Sequence, residues 1–182
     1  MMSIGIDPGV HHTGVAVLDD DEEIVQLDVL REFKSGETAL VNMSRRLCSH
    51  IQYIFKRYKC WDAVVTVERP DWYGRGDRSK PASIITLALV AGVALGASVM
   101  DPRARLKSMR LVTPRQWKGS WSKSKSHAQT RLLLSEVNRS LSLIPKSDHE
   151  HALDALGLAL HGSRSARWRE KVDAAVALIR TS

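Results

Sequence analysis

Residues 82–100 run for nineteen positions without a charged side chain. A segment of that length and character either crosses a bilayer or packs as a helix within a protein, and the two outcomes lead to different folds. Its Gly92-Val-Ala-Leu-Gly96 spacing is a GxxxG pattern, which packs helices closely in membranes. Against a membrane span, much of the run is Ala, Gly, Ser and Thr, and no aromatic belt accompanies it. Residues 102–135, which follow, hold nine Lys or Arg and no acid. The run therefore reads as a helix buried on all sides, whose small residues allow close packing, in a domain that has no membrane partner.

The remaining pattern is α/β. Residues 3–6, 15–18 and 24–33 are rich in β-branched and apolar side chains and are separated by turn residues. They read as three consecutive antiparallel strands. Leu40, Met43, Leu47, Ile51, Ile54, Phe55 and Tyr58 recur at steps of three and four, which predicts a helix. Residues 63–67 form a buried-type strand ending at Glu68, and a loop over 69–80 leads to Pro81 at a helix start. A short strand follows within 106–113. Residues 115–125 read as a basic loop with two tryptophans. A helix over 127–141 is expected to turn Leu132, Leu133 and Val137 inward, and further helices are expected over 149–161 and 168–179. Five strands interleaved with helices predict a mixed sheet. The 182 residues suffice for one domain, taken as 1–163 with 164–182 as its helical extension.

The formal charge of +7 is unevenly placed. Residues 1–68 carry −4 and residues 69–182 carry +11, the densest stretch being 102–135. Clustered cations of this kind suit a polyanion, because neutralised phosphates release counterions. Cys48 and Cys60 form no CxxC pair, and the opening residues lack the charged and apolar regions of a secretion signal. Both point to a reducing, cytoplasmic setting.

Three acids occupy telling positions. Asp7 ends the first strand, Glu68 ends the fourth, and Asp154 lies inside the apolar stretch 152–160. A carboxylate among apolar helix residues is costly unless paired or metal-bound. His151 lies three residues before Asp154, on the same helix face. Acids at adjoining strand ends, faced by a helix, can converge, and divalent cations such as Mg2+ or Mn2+ would offset their repulsion. Each acid also has a structural alternative: a turn former for Asp7, a surface ion pair with Arg69 for Glu68, a hydrogen-bonded buried acid for Asp154. Nearby, Ser147 and Glu150 have the spacing of a capping box, and Asp148 suits a helix N-terminus. His149-Glu150-His151 and His11-His12 lack the spacing of a zinc site.

Gly5-Ile6-Asp7-Pro8-Gly9, with Thr13-Gly14-Val15-Ala16-Val17 after it, resembles the first-strand signature of RuvC-type Holliday-junction resolvases, of the ribonuclease H-like superfamily. The other landmarks follow in the same order: Val67-Glu68, the small-residue helix, Arg115-Gln116-Trp117-Lys118, Lys125-Ser126, and His151-x-x-Asp154-Ala155-Leu156. The resemblance spans residues 3 to 162. It implies a mixed five-stranded sheet, three antiparallel strands then parallel ones, flanked by helices. It also implies a homodimeric, metal-dependent endonuclease that nicks two strands of a four-way junction symmetrically. Asp7, Glu68, His151 and Asp154 match the metal-binding and catalytic positions, with Mg2+ or Mn2+, two ions per site. The family usually has Asp where this chain has His151, and imidazole suits Mn2+ better than Mg2+. Lys118 and Lys125 match lysines near the bound strand. Arg69, Trp72, Tyr73, Arg75, Arg115 and Lys123 complete the expected DNA-binding set, with Trp72 or Tyr73 placed to stack on unpaired bases. Trp117 and Trp121 are open to the same reading or to anchoring on the protein's own core.

Other functions fit parts of the pattern. A less selective ribonuclease H-like nuclease, such as a phage debranching enzyme or a YqgF-like RNA-processing enzyme, shares the acid set. A junction-binding module without catalysis shares the basic half. The Asp-x-Gly turn also resembles the phosphate loop of actin-like kinases, but those need two such domains, more than 182 residues supply.

Overall fold

The computed structural model describes residues 1–59, 62–70, 81–100, 106–134 and 136–181, apart from the side chains of 81–83 and 167–181. The strands are β1 (Met2–Asp7), β2 (His12–Leu18), β3 (Ile24–Arg31), β4 (Ala63–Glu68) and β5 (Leu106–Val112). The helices are α1 (Gly36–Tyr58), α2 (Pro81–Met100), α3 (Pro114–Lys118), α4 (Lys123–Leu133), α5 (Val137–Ser142) and α6 (His149–Thr181). The strands form one sheet in the order β3-β2-β1-β4-β5. β1–β2 and β2–β3 are antiparallel, whereas β1–β4 and β4–β5 are parallel. This is the mixed five-stranded sheet expected from the strand and helix pattern.

The two faces of the sheet carry different side chains because successive residues of a strand alternate in direction. Ile4, Ile6, Val15, Val17, Val65 and Val67 face α1 and α2, packing on Met43, Leu47, Ile51, Ile54, Val90 and Ala94. The opposite face is lined by small residues, and α6 lies directly on it. A Cβ on Gly5 would stand 2.1 Å from the Ala155 carbonyl oxygen, and one on Gly14 would stand 2.2 Å from that of His151. Ser3 Oγ donates to the Ala159 carbonyl at 2.6 Å in the same contact. The glycines of the opening motif thus let a helix backbone rest on the sheet.

Four expectations need correction, the first being that the helices expected over 149–161 and 168–179 are one continuous helix, α6. Among the described residues, α2 is buried on one side only: Ile85, Leu89, Val99 and Met100 are exposed, and a Cβ on Gly92 or Gly96 would meet nothing within 4 Å. Its small residues therefore line an open face instead of a packed seam. Among the described residues, no helix is long and apolar enough to cross a membrane. Residues 115–125 are not a single loop, since only 119–122 lie outside the helices α3 and α4. Pro114 ends β5 but starts α3 at the position where its missing N–H costs nothing, and Thr113 and Gln116 form a reciprocal capping box. The helix expected over 127–141 is two helices, α4 and α5. Leu132 is 82% exposed and Leu133 37%, while Leu134, Val137 and Leu141 pack against α6. The break at Leu134, in extended backbone, shifts the inward face by one residue.

Candidate active site

Parity along β1 and β4 sets the site. Ser3 and Gly5 face α6, so Asp7 does too, at the end of β1. The parallel register pairs Ile6 with Val67, which leaves Asp7 and Glu68 side by side one step further on. α6 crosses over these strand ends with His151 and Asp154 one turn apart. Trp117 of α3 packs on α6 where Gly157 lacks a side chain: a Cβ there would stand 2.4 Å from the indole ring. α3 and the start of α4 thereby close the site from the β5 side.

His151 Nδ1 lies 2.8 Å from Asp7 Oδ2. Trp117 Nε1–H donates to Glu68 Oε2 at 2.7 Å. Asp154 is the most heavily partnered of the acids. His127 Nε2 lies 2.9 Å from its Oδ1, Lys118 Nζ donates to the same oxygen at 3.2 Å, and Lys123 Nζ stands 3.2 Å from Oδ2. Lys118 also stands 3.9 Å from Glu68 and 4.4 Å from the Trp117 ring centroid. The His12 and His151 rings lie 5.4 Å apart.

These neighbours separate the acids electrostatically. Burial and the adjacent Asp7 and Asp154 charges push the Glu68 carboxyl up to about 7, against the opposing pull of Lys118 and the Trp117 hydrogen bond. Burial raises Asp7 as well, with His151 working in the other direction. Asp154 is also buried, yet the His127 hydrogen bond and the charges of Lys118 and Lys123 bring it down to about 2. His151 is raised by its hydrogen bond to Asp7. One carboxylate is thus held firmly ionised next to two that burial and mutual repulsion make reluctant to ionise.

The four candidate metal and catalytic residues, Asp7, Glu68, His151 and Asp154, lie together at the junction of β1, β4 and α6. Of the candidate DNA-binding residues, Lys118 and Lys123 are engaged with Asp154, and Lys123 also reaches Glu150 at 2.9 Å. Lys118 is only 13% exposed, so it is not a solvated surface lysine. Arg69 and Arg115 are exposed, and Lys125 is exposed on the first turn of α4, 5.3 Å from the Trp121 ring centroid. Trp72, Tyr73 and Arg75 lie outside the described residues. Asp148 is buried and paired with Arg31, and Ser147 accepts from Arg31 at 3.3 Å while Glu150 bonds Lys123, so the expected capping box does not form. Sequence reading missed His127 as a partner of Asp154 and Trp117 as a partner of Glu68. The signal for His127 was weak, since it shows only once α4 is known to begin four residues before it and to cross α6.

Three carboxylates and an imidazole are the donor types of a hard or borderline divalent cation. The repulsion that raises Asp7 and Glu68 is also the field that such a cation would relieve. Among the described residues, however, no three His, Cys, Asp or Glu side chains are grouped to hold one ion. Asp154 is instead engaged by His127, Lys118 and Lys123. The residues fit the ion in type and charge, and Asp154 must exchange partners to join it.

No family model and no curated protein sequence matches the chain. Solved structures do. Thermus thermophilus RuvC in complex with a Holliday junction substrate matches with a TM-score of 0.66 and 20% identity, covering 92% of this chain and 96% of that one. RuvC of the same organism in a second structure matches with a TM-score of 0.64, at the same identity and coverage. The yeast mitochondrial Holliday junction resolvase matches at 0.57 with 12% identity, over 88% of this chain and 77% of that one. With its sheet order, its α6 docking and these likenesses together, the chain has the ribonuclease H-like fold of the RuvC-type resolvase structures.

Proposed function

We propose that the protein is a metal-dependent endonuclease that resolves four-way and other branched DNA junctions by paired, symmetric hydrolysis of phosphodiester bonds. The observation that carries this reading is that Asp7 paired with His151, and Glu68 and Asp154 sharing Lys118, stand at the same end of the sheet beside Lys123. Asp7, Glu68 and Asp154, with His151, would hold Mg2+ or Mn2+. When bound, such ions activate water and stabilise the leaving oxygen of a phosphodiester.

The chain's own residues prepare that chemistry. Trp117 and His127 each fix one carboxylate by a hydrogen bond, which limits the rotamers from which it reaches a ligand. His151 is oriented by Asp7 through Nδ1, which leaves its second nitrogen, Nε2, as the one that would ligate a bound ion. Lys118 and Lys123 neutralise Asp154 until a phosphate draws them away, a role that suits flexible ammonium groups. Arg69, Arg115 and Lys125 supply further cations for the DNA backbone.

Paired nicks need two sites. The exposed face of α2, with Ile85, Leu89, Gly92, Gly96, Val99 and Met100, supplies an apolar surface for a second copy of the chain. A homodimer through this face would direct two acid clusters at opposite strands.

The test is cleavage of end-labelled four-way junctions titrated with Mg2+ or Mn2+, with a flap, linear duplex and structured RNA as comparison substrates. Asp7→Asn and Asp154→Asn should each lower nicking by about two to three orders of magnitude, roughly what loss of a principal charge-stabilising group costs. Undiminished cleavage in both variants would remove these residues from the reaction. Faster cleavage of duplex or RNA than of junctions would replace the substrate.

A further inference from the structure

A second concave feature opens beside the acid cluster. It is a cleft of about 230 Å3 between α3, α4 and α6, lined by Trp117, Trp121, Gln129, Leu133, His161 and Arg164 among others. Gly157, Leu160, His161 and Arg164 come from α6, continuing the face that begins with Asp154. Trp121 and Leu133 are partly exposed at its rim.

The chemistry of the lining selects its occupant. Two indoles and two leucines offer flat, apolar contact. The one guanidinium, Arg164, is paired with Glu22 at 3.2 Å. Burial and the nearby Arg110 charge lower the His161 imidazole, which disfavours its cationic form. The lining therefore offers no free cation for a phosphate among the described residues. Among the described residues, neither the Gln129 amide nor the His161 imidazole has a hydrogen-bond partner. These groups can donate or accept along the edge of a ring seated against the indoles.

We propose that this cleft is a nucleobase subsite, in which a base next to the scissile phosphate leaves its stack, seats against Trp117 and Trp121, and is read along its edge by Gln129 and His161. The proposal rests on the endonuclease reading above and adds sequence selectivity to it. Extrusion of a base costs least where stacking is already interrupted, as at a branch point. Lys125, stacked on Trp121, and Lys123 lie outside the cleft, where they can hold the flanking backbone. Trp117 is shared: one side of its ring system lines the cleft, and its Nε1–H holds Glu68 at 2.7 Å. A seated base thus bears on the position of a candidate catalytic carboxylate, so that the correct sequence favours nicking as well as binding.

The experiment uses the full chain in two forms. With the Asp7→Asn protein, 2-aminopurine is placed at each position flanking the nick of a four-way junction, and its fluorescence is followed on binding. One position should change sharply, and the change should disappear in Asp7→Asn proteins that also carry Trp121→Ala or Gln129→Leu. With active protein, junctions varied at that position should differ in nicking rate by about tenfold or more, and Gln129→Leu should compress the range to about twofold, the scale of one base-edge contact. Thermal melts of the variants establish that they fold. A junction that is bound and nicked with no position-specific fluorescence change, or with a range that Gln129→Leu leaves intact, overturns the base subsite alone. Failure to bind or nick any nucleic acid overturns the endonuclease reading, and the subsite with it.

Discussion

His127 and Trp117 contact no bond-breaking atom in the proposed reaction, yet each holds one acid of the cluster. His127 lies 2.9 Å from Asp154, and Trp117 donates to Glu68 at 2.7 Å. Groups that orient candidate ligands in this way are worth about 10–100-fold in metal affinity or activity. His127→Ala should therefore reduce metal-dependent nicking by about that factor, while junction binding measured without metal persists. Wild-type nicking in His127→Ala would show that Asp154 needs no such support. The acids themselves were legible in the sequence, because a strand-end Asp, a strand-end Glu and an Asp in an apolar helix are each unusual. Their partners were not. His127 and Asp154 are 27 residues apart, Trp117 and Glu68 49, and only the packing of α3 and α4 on α6 makes them neighbours.

At the level of elements, the docking of α6 on the sheet decides whether His151 and Asp154 reach Asp7. Gly5 permits it, since an added Cβ would stand 2.1 Å from the Ala155 carbonyl and 2.3 Å from the Ala159 nitrogen. Both are backbone atoms that cannot rotate aside. Gly5→Ala should destabilise the protein by about 3 kcal/mol or more and abolish nicking together with it. Urea unfolding checks this, and wild-type stability would mean that α6 sits further from β1. The start of α6 is pinned separately by Arg31 of β3, which pairs with the buried Asp148. Burial tends to raise Asp148, but the hydrogen bond and charge of Arg31, with His12 and Ser147, outweigh it and hold the carboxyl below its usual range. A depressed carboxylate contributes stability that is complete above its unfolded pKa of about 3.9 and is lost as pH falls through the lower folded value. Acid unfolding should thus include a loss below about pH 4. Arg31→Ala should cost about 1.5–3 kcal/mol at neutral pH and show a shallower loss in acid. Equal pH profiles for the two proteins would remove the pair from the acid transition. Sequence reading placed Asp148 at a helix N-terminus, where it lies, but nothing local reveals a partner 117 residues away.

At the scale of the whole molecule, the open face of α2 is the surface that the proposed dimer would use. Leu89 is exposed in the middle of an apolar stripe that runs from Ile85 to Met100. Leu89→Arg should convert a dimer to monomer in sedimentation at micromolar concentration. Wild-type protein that is already monomeric there would refute the α2 interface. The sequence determined the parts whose physics is local: strand and helix order, from hydrophobic periods of two and 3.6; the uneven charge; and the acids placed against the grain of their surroundings. It also contained the motif glycines, without showing which backbone each one admits. Helix boundaries after Thr113 were misread because Pro114 ends a strand and starts a helix with the same fixed φ. The uncharged run was misread as buried on all sides because composition reports that charge is absent, not which face is covered. Tertiary structure alone decided that Asp154 is held by Lys118, Lys123 and His127, that Trp117 joins Glu68 to a second cleft, and that one side of α2 stays open. Those relations depend on contacts between elements far apart in the chain, and their energies appear only when the sheet and α6 have packed.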